Sequence, residues 1–196
     1  MSAEVMVTFL NQCGPESKLG FQVASHCAPV LKGIKVSNIM SAGKGTWSRL
    51  LRDLRGSKVL CVMLSSRKDR EILLLYRYED LREHLKKEQV ERFLKSCGYG
   101  ETSVAAVIMR LRERYGQYAD GHGEFPHELG VILEYPVEDV EGFIKNQGKN
   151  CVMEKYWKVY HNRERAQAVF ARYDEARESA MEEIMAGYPL CQVAAT

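Results

Sequence analysis

Two short apolar runs, Val59 to Leu64 and Ile72 to Tyr76, are separated by the polar, basic segment Ser65 to Arg70, and this feature most narrows the folds open to the chain. Runs this short, flanked by polar residues, read as a buried antiparallel hairpin. Neither approaches the ~20 apolar residues that a membrane-spanning helix needs. A third strand is expected at Tyr156 to Tyr160, where Trp157 and Val159 alternate with Tyr156, Lys158 and Tyr160. The remaining periodic segments are helical and do not alternate with strands. The expectation is therefore an α+β fold: a mostly helical single domain with a small antiparallel sheet, the hairpin at about 58–77 plus a strand at about 156–160.

The helices are read from apolar spacing and from proline and glycine. One runs from about Glu16 to Cys27, opened by Pro15 and ended by Pro29, with an irregular stretch following from Val30 to Gly45. The next starts at Trp47 with Thr46 as N-cap and Trp47, Leu50, Leu51 and Leu54 on one face; Gly56 closes it. Val90, Phe93, Leu94 and Cys97 form a stripe stopped by Gly98. Val104, Val107, Ile108, Leu111 and Tyr115 form a second stripe, followed by a Gly-rich linker from Gly116 to Glu124. Pro126 and Pro136 each open a short helix. The last helix, Arg163 to about Gly187, places Ala166, Val169, Phe170, Tyr173, Ala176, Ala180 and Ile184 on its packing side.

Composition excludes several function classes. A chain of 196 residues buries roughly 70% of the surface its unfolded form exposes, enough for a core without disulfides or metal staples. The 28 Lys and Arg residues are nearly balanced by 26 Asp and Glu, so a dedicated nucleic-acid binder, which carries a marked basic excess, is not expected. Met1 to Leu10 lacks a basic leader region and no stretch could span a bilayer; a cytoplasmic protein without membrane association is the expectation. The six cysteines are isolated, without the paired spacing of zinc or iron–sulfur sites, and read as reduced thiols.

Four segments could carry chemistry. GHGEFPHELG, Gly121 to Gly130, gathers two of the five histidines and two carboxylates. With Pro126 at the first helical position, His127 and Glu128 fall in the first turn, where exposed N–H groups and the helix dipole favour an anion. A neutral imidazole beside a fixed carboxylate suits general acid–base work or metal ligation, with His122 as a further ligand. The order is not H-E-x-x-H, so the metalloprotease geometry is missing. A purely structural role, Glu128 as a cap and His127 bonded to a backbone carbonyl, fits the same residues. At the second segment, His26 and Cys27 sit at a helix end with Lys32 and Lys35 close behind, where neighbouring cations can activate a thiol. Residues one apart on a helix diverge by about 100°, so His26 and Cys27 would not pair with each other. Third, Gly43-Lys44-Gly45-Thr46 before a helix resembles an anion-binding loop but departs from the phosphate-loop pattern, since Gly45 divides Lys44 from Thr46; nucleotide hydrolysis is not expected. Fourth, Tyr156, Lys158 and Tyr160 on one strand face could line a pocket for an anionic or aromatic ligand.

Three blocks of the chain, His26-Cys27-Ala28-Pro29-Val30-Leu31, Phe125-Pro126-His127-Glu128-Leu129-Gly130 through Tyr135-Pro136, Asp139-Val140 and Gly142-Phe143, and Tyr156-Trp157-Lys158-Val159-Tyr160, resemble an uncharacterised "domain of unknown function" family found mainly in anaerobic bacteria. The resemblance spans nearly the whole chain and implies an association with iron-uptake and flavodoxin genes. The sequence departs from it at Glu134, where a glycine is expected before Tyr135-Pro136, which counts against a special backbone role there.

Two functional readings follow. In the first, the chain binds a small molecule, metal or cofactor, with an enzymatic role open to it: His26, His127 and Glu128 are the catalytic candidates, Cys27, Lys35, Lys158 and Tyr160 contact a cofactor, and His127 with Glu128 holds iron or zinc, or His127 ligates a haem. In the second, the chain is a non-catalytic adaptor for a flavodoxin-like redox partner, meeting an acidic surface through Arg67, Lys68 and Arg70.

Overall fold

A computed structural model describes residues 2–194. Met1, where the reading against a leader begins, lies outside the described residues. The elements are α1 (Ala3–Gln12), α2 (Pro15–Leu31), β1 (Ser37–Gly43), α3 (Thr46–Asp53), β2 (Val59–Arg67), β3 (Arg70–Arg77), α4 (Tyr78–Leu85), α5 (Glu88–Ser96), α6 (Val104–Ala119), α7 (Glu128–Ile132), α8 (Val137–Lys145), β4 (Met153–Glu154), β5 (Lys158–Val159), α9 (Arg163–Met185) and α10 (Leu190–Val193). The α+β expectation holds.

The hairpin forms where expected, with Cys61 opposite Leu75 and Val62 opposite Leu74. Its strands run on to a turn at Lys68 and Asp69, longer than the apolar runs. The third strand of this sheet is β1, inside the stretch read as irregular; Ile39 pairs with Leu74, so β3 is central in the order β1-β3-β2. Both faces are covered, which explains why the middle of β3, Ile72 to Tyr76, is continuously apolar. Leu73 and Leu75 face a core with α2, α3, α9 and α10, while Leu74 faces a second core with α4 to α8. Trp157, Val159, Ala166, Phe170 and Tyr173 make a third cluster.

Several boundaries differ from the sequence reading for identifiable reasons. Pro29 does not end α2, which continues to Leu31. An interior proline costs roughly 3 kcal/mol. Burying the side chains of Val30 and Leu31, both 0% exposed, returns about 1.5–3 kcal/mol each. Thr46 is not the N-cap of α3: Gly45 takes that position at φ 87°, and the Glu71 carboxylate on β3 accepts from Gly45 N and Trp47 N, each at 2.8 Å. The anion site implied by the Gly-rich loop is thus filled by the protein's own carboxylate. Leu51 is exposed, 45% accessible, while Trp47 and Leu50 of α3 and Leu54 just after it reach the core. The Gly-rich linker is shorter than expected, since α6 runs on to Ala119. Pro126 precedes the N-cap His127 and Pro136 is itself an N-cap, so each proline lies just outside its helix. The strand at 156–160 shrinks to Lys158–Val159, paired with Met153–Glu154.

Glu134 sits at φ 62°, in the left-handed region that a glycine occupies without strain. The position does have a backbone role, and the expectation against one is corrected. The glutamate is retained in this conformation by its side chain, whose Oε2 accepts from Val36 N at 3.0 Å and ties the α7–α8 turn to the entry of β1.

Candidate functional site

Asp139, near the start of α8, organises the region. It is buried, yet both oxygens are engaged: Oδ2 accepts from Trp157 Nε1 at 2.8 Å, and Oδ1 accepts from Tyr160 N at 2.8 Å and His161 N at 3.0 Å. Drawing two successive N–H groups onto α8 ends the short ladder of β5 and fixes the indole of Trp157. Trp157 then stacks on Tyr135, centroids 5.3 Å apart, and meets Phe170 edge-on at 4.5 Å. Trp157 and Asp139 form a wall shared by two cavities.

The larger cavity, ≈ 290 Å³, lies between β1, the segment Phe125 to Leu133, α8 and β5. Ile39, Leu129, Leu133 and Val140 supply aliphatic walls, and Phe125, Tyr135, Phe143 and Trp157 supply rings. Its polar side chains include His127, Asp139 and Lys158. Close approach of α7 and α8 is needed beside it, since a Cβ on Gly130 would lie 2.9 Å from Val140 Cγ2. His127 packs against Phe125 and Phe143, ring centroids 5.5 Å from each, and among the described residues neither of its ring nitrogens has a hydrogen-bond partner. Lys158 Nζ donates to Gly148 O at 2.9 Å and lies 3.7 Å from the exposed Glu154. The smaller cavity, ≈ 160 Å³, is charged: Glu134, Glu138, Arg165 and Arg172 line it.

Of the residues singled out in the sequence, His127 and Lys158 meet in the larger cavity. The others do not join them. His26 is exposed on α2, its Nδ1 within 2.9 Å of Ser25 Oγ and Gln22 O. Cys27 is fully buried, because the continued helix turns it inward with Val23, Ala24 and Leu31; burial pushes its thiol up to about 12, the opposite of activation. Lys35 is also interior, its ammonium 5.0 Å from the Tyr135 centroid and 5.6 Å from that of Tyr173, and burial lowers its pKa to about 8. Tyr160 stands against Gly142, where an added Cβ would come within 2.7 Å, rather than in the cavity wall.

Glu128 is 1% exposed and faces α6 and Tyr99 rather than His127's cavity. Arg114 Nε lies 2.5 Å from its Oε1, and Tyr99 OH donates to the same oxygen at 3.2 Å. Burial and the adjacent carboxylate raise the Tyr99 pKa. Glu128 therefore locks α7 onto α6 and is not paired with His127 for acid–base work. Iron or zinc does not fit His127 and Glu128 for the same reason, and among the described residues no group of three His, Cys, Asp or Glu side chains could hold a metal ion. A cavity of about 150 Å³ takes one benzene, so ≈ 290 Å³ is too small to enclose a haem.

The hairpin-turn cations are partly engaged within the fold. Arg67 pairs with Asp120, and Arg70 Nε donates to Ser41 Oγ at 3.1 Å. Among the described residues no helix is long and apolar enough to cross a membrane.

Asp139, Tyr135 and Phe143 were visible in the resembling blocks but carried no chemical signal on their own. Ile39 was hidden in the stretch read as irregular, and Phe125 drew no notice beside the histidines. Neighbouring lysine, phenol and imidazole residues can be found from sequence; which of them share a cavity depends on the Asp139 contacts between α8 and β5.

No curated protein and no solved structure matches the chain. Residues 23–194 match the family described as "Protein of unknown function (DUF3793)", a span from within α2 to the end of α10, and the chain belongs to that family.

Proposed function

We propose that this protein binds a small organic molecule in the cavity between β1, α7, α8 and β5. The observation that carries the reading is His127: an imidazole with no hydrogen-bond partner among the described residues, set in a largely apolar cavity that also holds Lys158. Apolar walls with a few polar groups are what ligand sites offer, because burial supplies affinity and the polar groups fix orientation. Binding is favoured over catalysis by the dispersal of His26 and Glu128, which leaves Asp139 as the carboxylate in the cavity wall, and its oxygens are taken by Trp157, Tyr160 and His161.

Saturation-transfer NMR with a set of one- and two-ring aromatic fragments tests the reading, run on the wild type and on Ile39→Trp, which fills the cavity from the sheet side. Signals from some fragments that vanish in Ile39→Trp are expected. Fragments that bind equally to both proteins, or none that binds the wild type, would overturn it.

A further inference from the structure

The same cavity, on the reading that it is a binding site, also restricts the chemistry of its ligand. Size sets the first limit. A cavity of about 150 Å³ accommodates a single benzene ring, so ≈ 290 Å³ holds about two fused rings. The wall composition sets the second. Phe125, Tyr135, Phe143 and Trp157 present ring faces and edges, which favour a planar aromatic guest in stacked or edge-on contact.

Hydrogen-bonding capacity sets the third limit. Asp139 is the carboxylate in the wall, and its oxygens already accept three N–H groups, from Trp157, Tyr160 and His161. The Trp157 indole N–H is spent in the same contact. Lys158 has three donor positions and uses one on Gly148 O; its ion pair with Glu154 is long, at 3.7 Å, and solvent-facing. Both nitrogens of His127 are free of protein partners among the described residues. The Lys158 ammonium therefore keeps donor capacity, and the His127 imidazole offers one N–H donor and one acceptor nitrogen, so the two residues together present more donors than acceptors. A charge-assisted bond to an anionic oxygen is the strongest contact they can make. A neutral donor group on the ligand would find the carboxylate already taken and a single imidazole nitrogen left to accept it.

We infer that the ligand is a fused two-ring aromatic carboxylate, its rings among Phe125, Tyr135, Phe143 and Trp157 and its carboxylate received by Lys158 and His127. The charge of Asp139 is the opposing influence. It is offset by the three N–H donors around it and by the ammonium of Lys158, which lines the same cavity.

Isothermal titration calorimetry with 2-naphthoate, its neutral isostere 2-naphthamide and benzoate tests this on the full chain. The expected result is that 2-naphthoate binds at least tenfold more tightly than either of the others, and that its advantage over 2-naphthamide falls to less than threefold in Lys158→Met. Lys158 also anchors Gly148, so Lys158→Arg, which keeps the charge, serves as the folding control and should retain most of the advantage. Equal binding of 2-naphthoate and 2-naphthamide to the wild type overturns the anionic class while leaving the cavity a binding site. Benzoate binding as tightly as 2-naphthoate overturns the ring size with the same consequence. If none of the three binds but other fragments bind in an Ile39→Trp-sensitive way, this inference fails and the proposed function stands; if no aromatic binds at all, both fail.

Discussion

Replacing Asp139 with asparagine should unpick the α8–β5 junction through a single hydrogen bond. In the rotamer that keeps an oxygen under Tyr160 N and His161 N, the new amide NH₂ faces Trp157 Nε1, placing two donors where a 2.8 Å bond had been. The indole is only 8% exposed, so its orphaned N–H finds little water. An unsatisfied buried donor costs about 1–3 kcal/mol, and loss of the negative charge weakens the two backbone bonds by roughly 1 kcal/mol each, since charge-assisted bonds are about twice as strong as neutral ones. The expected destabilisation is about 3–5 kcal/mol. In a Trp157→Phe background the donor clash is absent, so the same substitution should cost about 1.5 kcal/mol less. Urea denaturation followed by far-ultraviolet circular dichroism on the four proteins of the cycle measures this. Costs that add to within about 0.5 kcal/mol would show that Asp139 and Trp157 are energetically independent, refuting the role given to Asp139.

Other perturbations probe separate parts of the account. At Glu134, where φ is 62°, Glu134→Gly should be more stable than Glu134→Ala by roughly 1 kcal/mol in urea midpoints, reversing the usual order, because both lose the bond to Val36 N but only glycine sheds the left-handed strain. His84 is buried, its Nε2 2.9 Å from Val131 O and its Nδ1 without a partner among the described residues, and burial lowers its pKa below the ordinary value of 6.5. The folded state thus binds fewer protons than the unfolded one. Its contribution is present above pH 6.5 and is lost as pH falls from there through the folded value, with a slope that one proton limits to about 1.4 kcal/mol per pH unit; His84→Gln should flatten this part of the stability–pH curve. Cys27, fully buried and with its thiol raised to about 12, should resist a thiol reagent in the folded protein and react only on unfolding; rapid labelling located at Cys27 by mass spectrometry would contradict its placement.

Much of the fold was legible because burial imposes periodicity. The hairpin followed from two apolar runs, and α6 and α9 from stripes of apolar residues. The errors arose where distant groups decided local structure. Val30 and Leu31 carry α2 past Pro29 because the core beneath them outweighs the proline penalty. The cap of α3 comes from Glu71 on another strand, and no rule of local spacing points to it. β1 was missed because SNIMSAG is rich in small polar residues; it is a strand because β3 offers it a complete ladder. The candidate site shows the same division. His127 and Lys158 stood out as residue types, whereas Glu128 looked like an acid–base partner until Arg114, on α6, was seen to claim it.

The central claim, that the cavity lined by Ile39, Leu129, Leu133 and Val140 is where this protein takes a ligand, is tested most directly by mapping methyl chemical shifts on isotope-labelled protein as 2-naphthoate is added. The account predicts that the methyl signals of these four residues shift together, while those of Ile184 and Leu190, which line a separate cavity of ≈ 320 Å³ between α2, α3, α9 and α10, stay fixed. Shifts centred on Ile184 and Leu190, with Ile39 and Val140 unmoved, would contradict it.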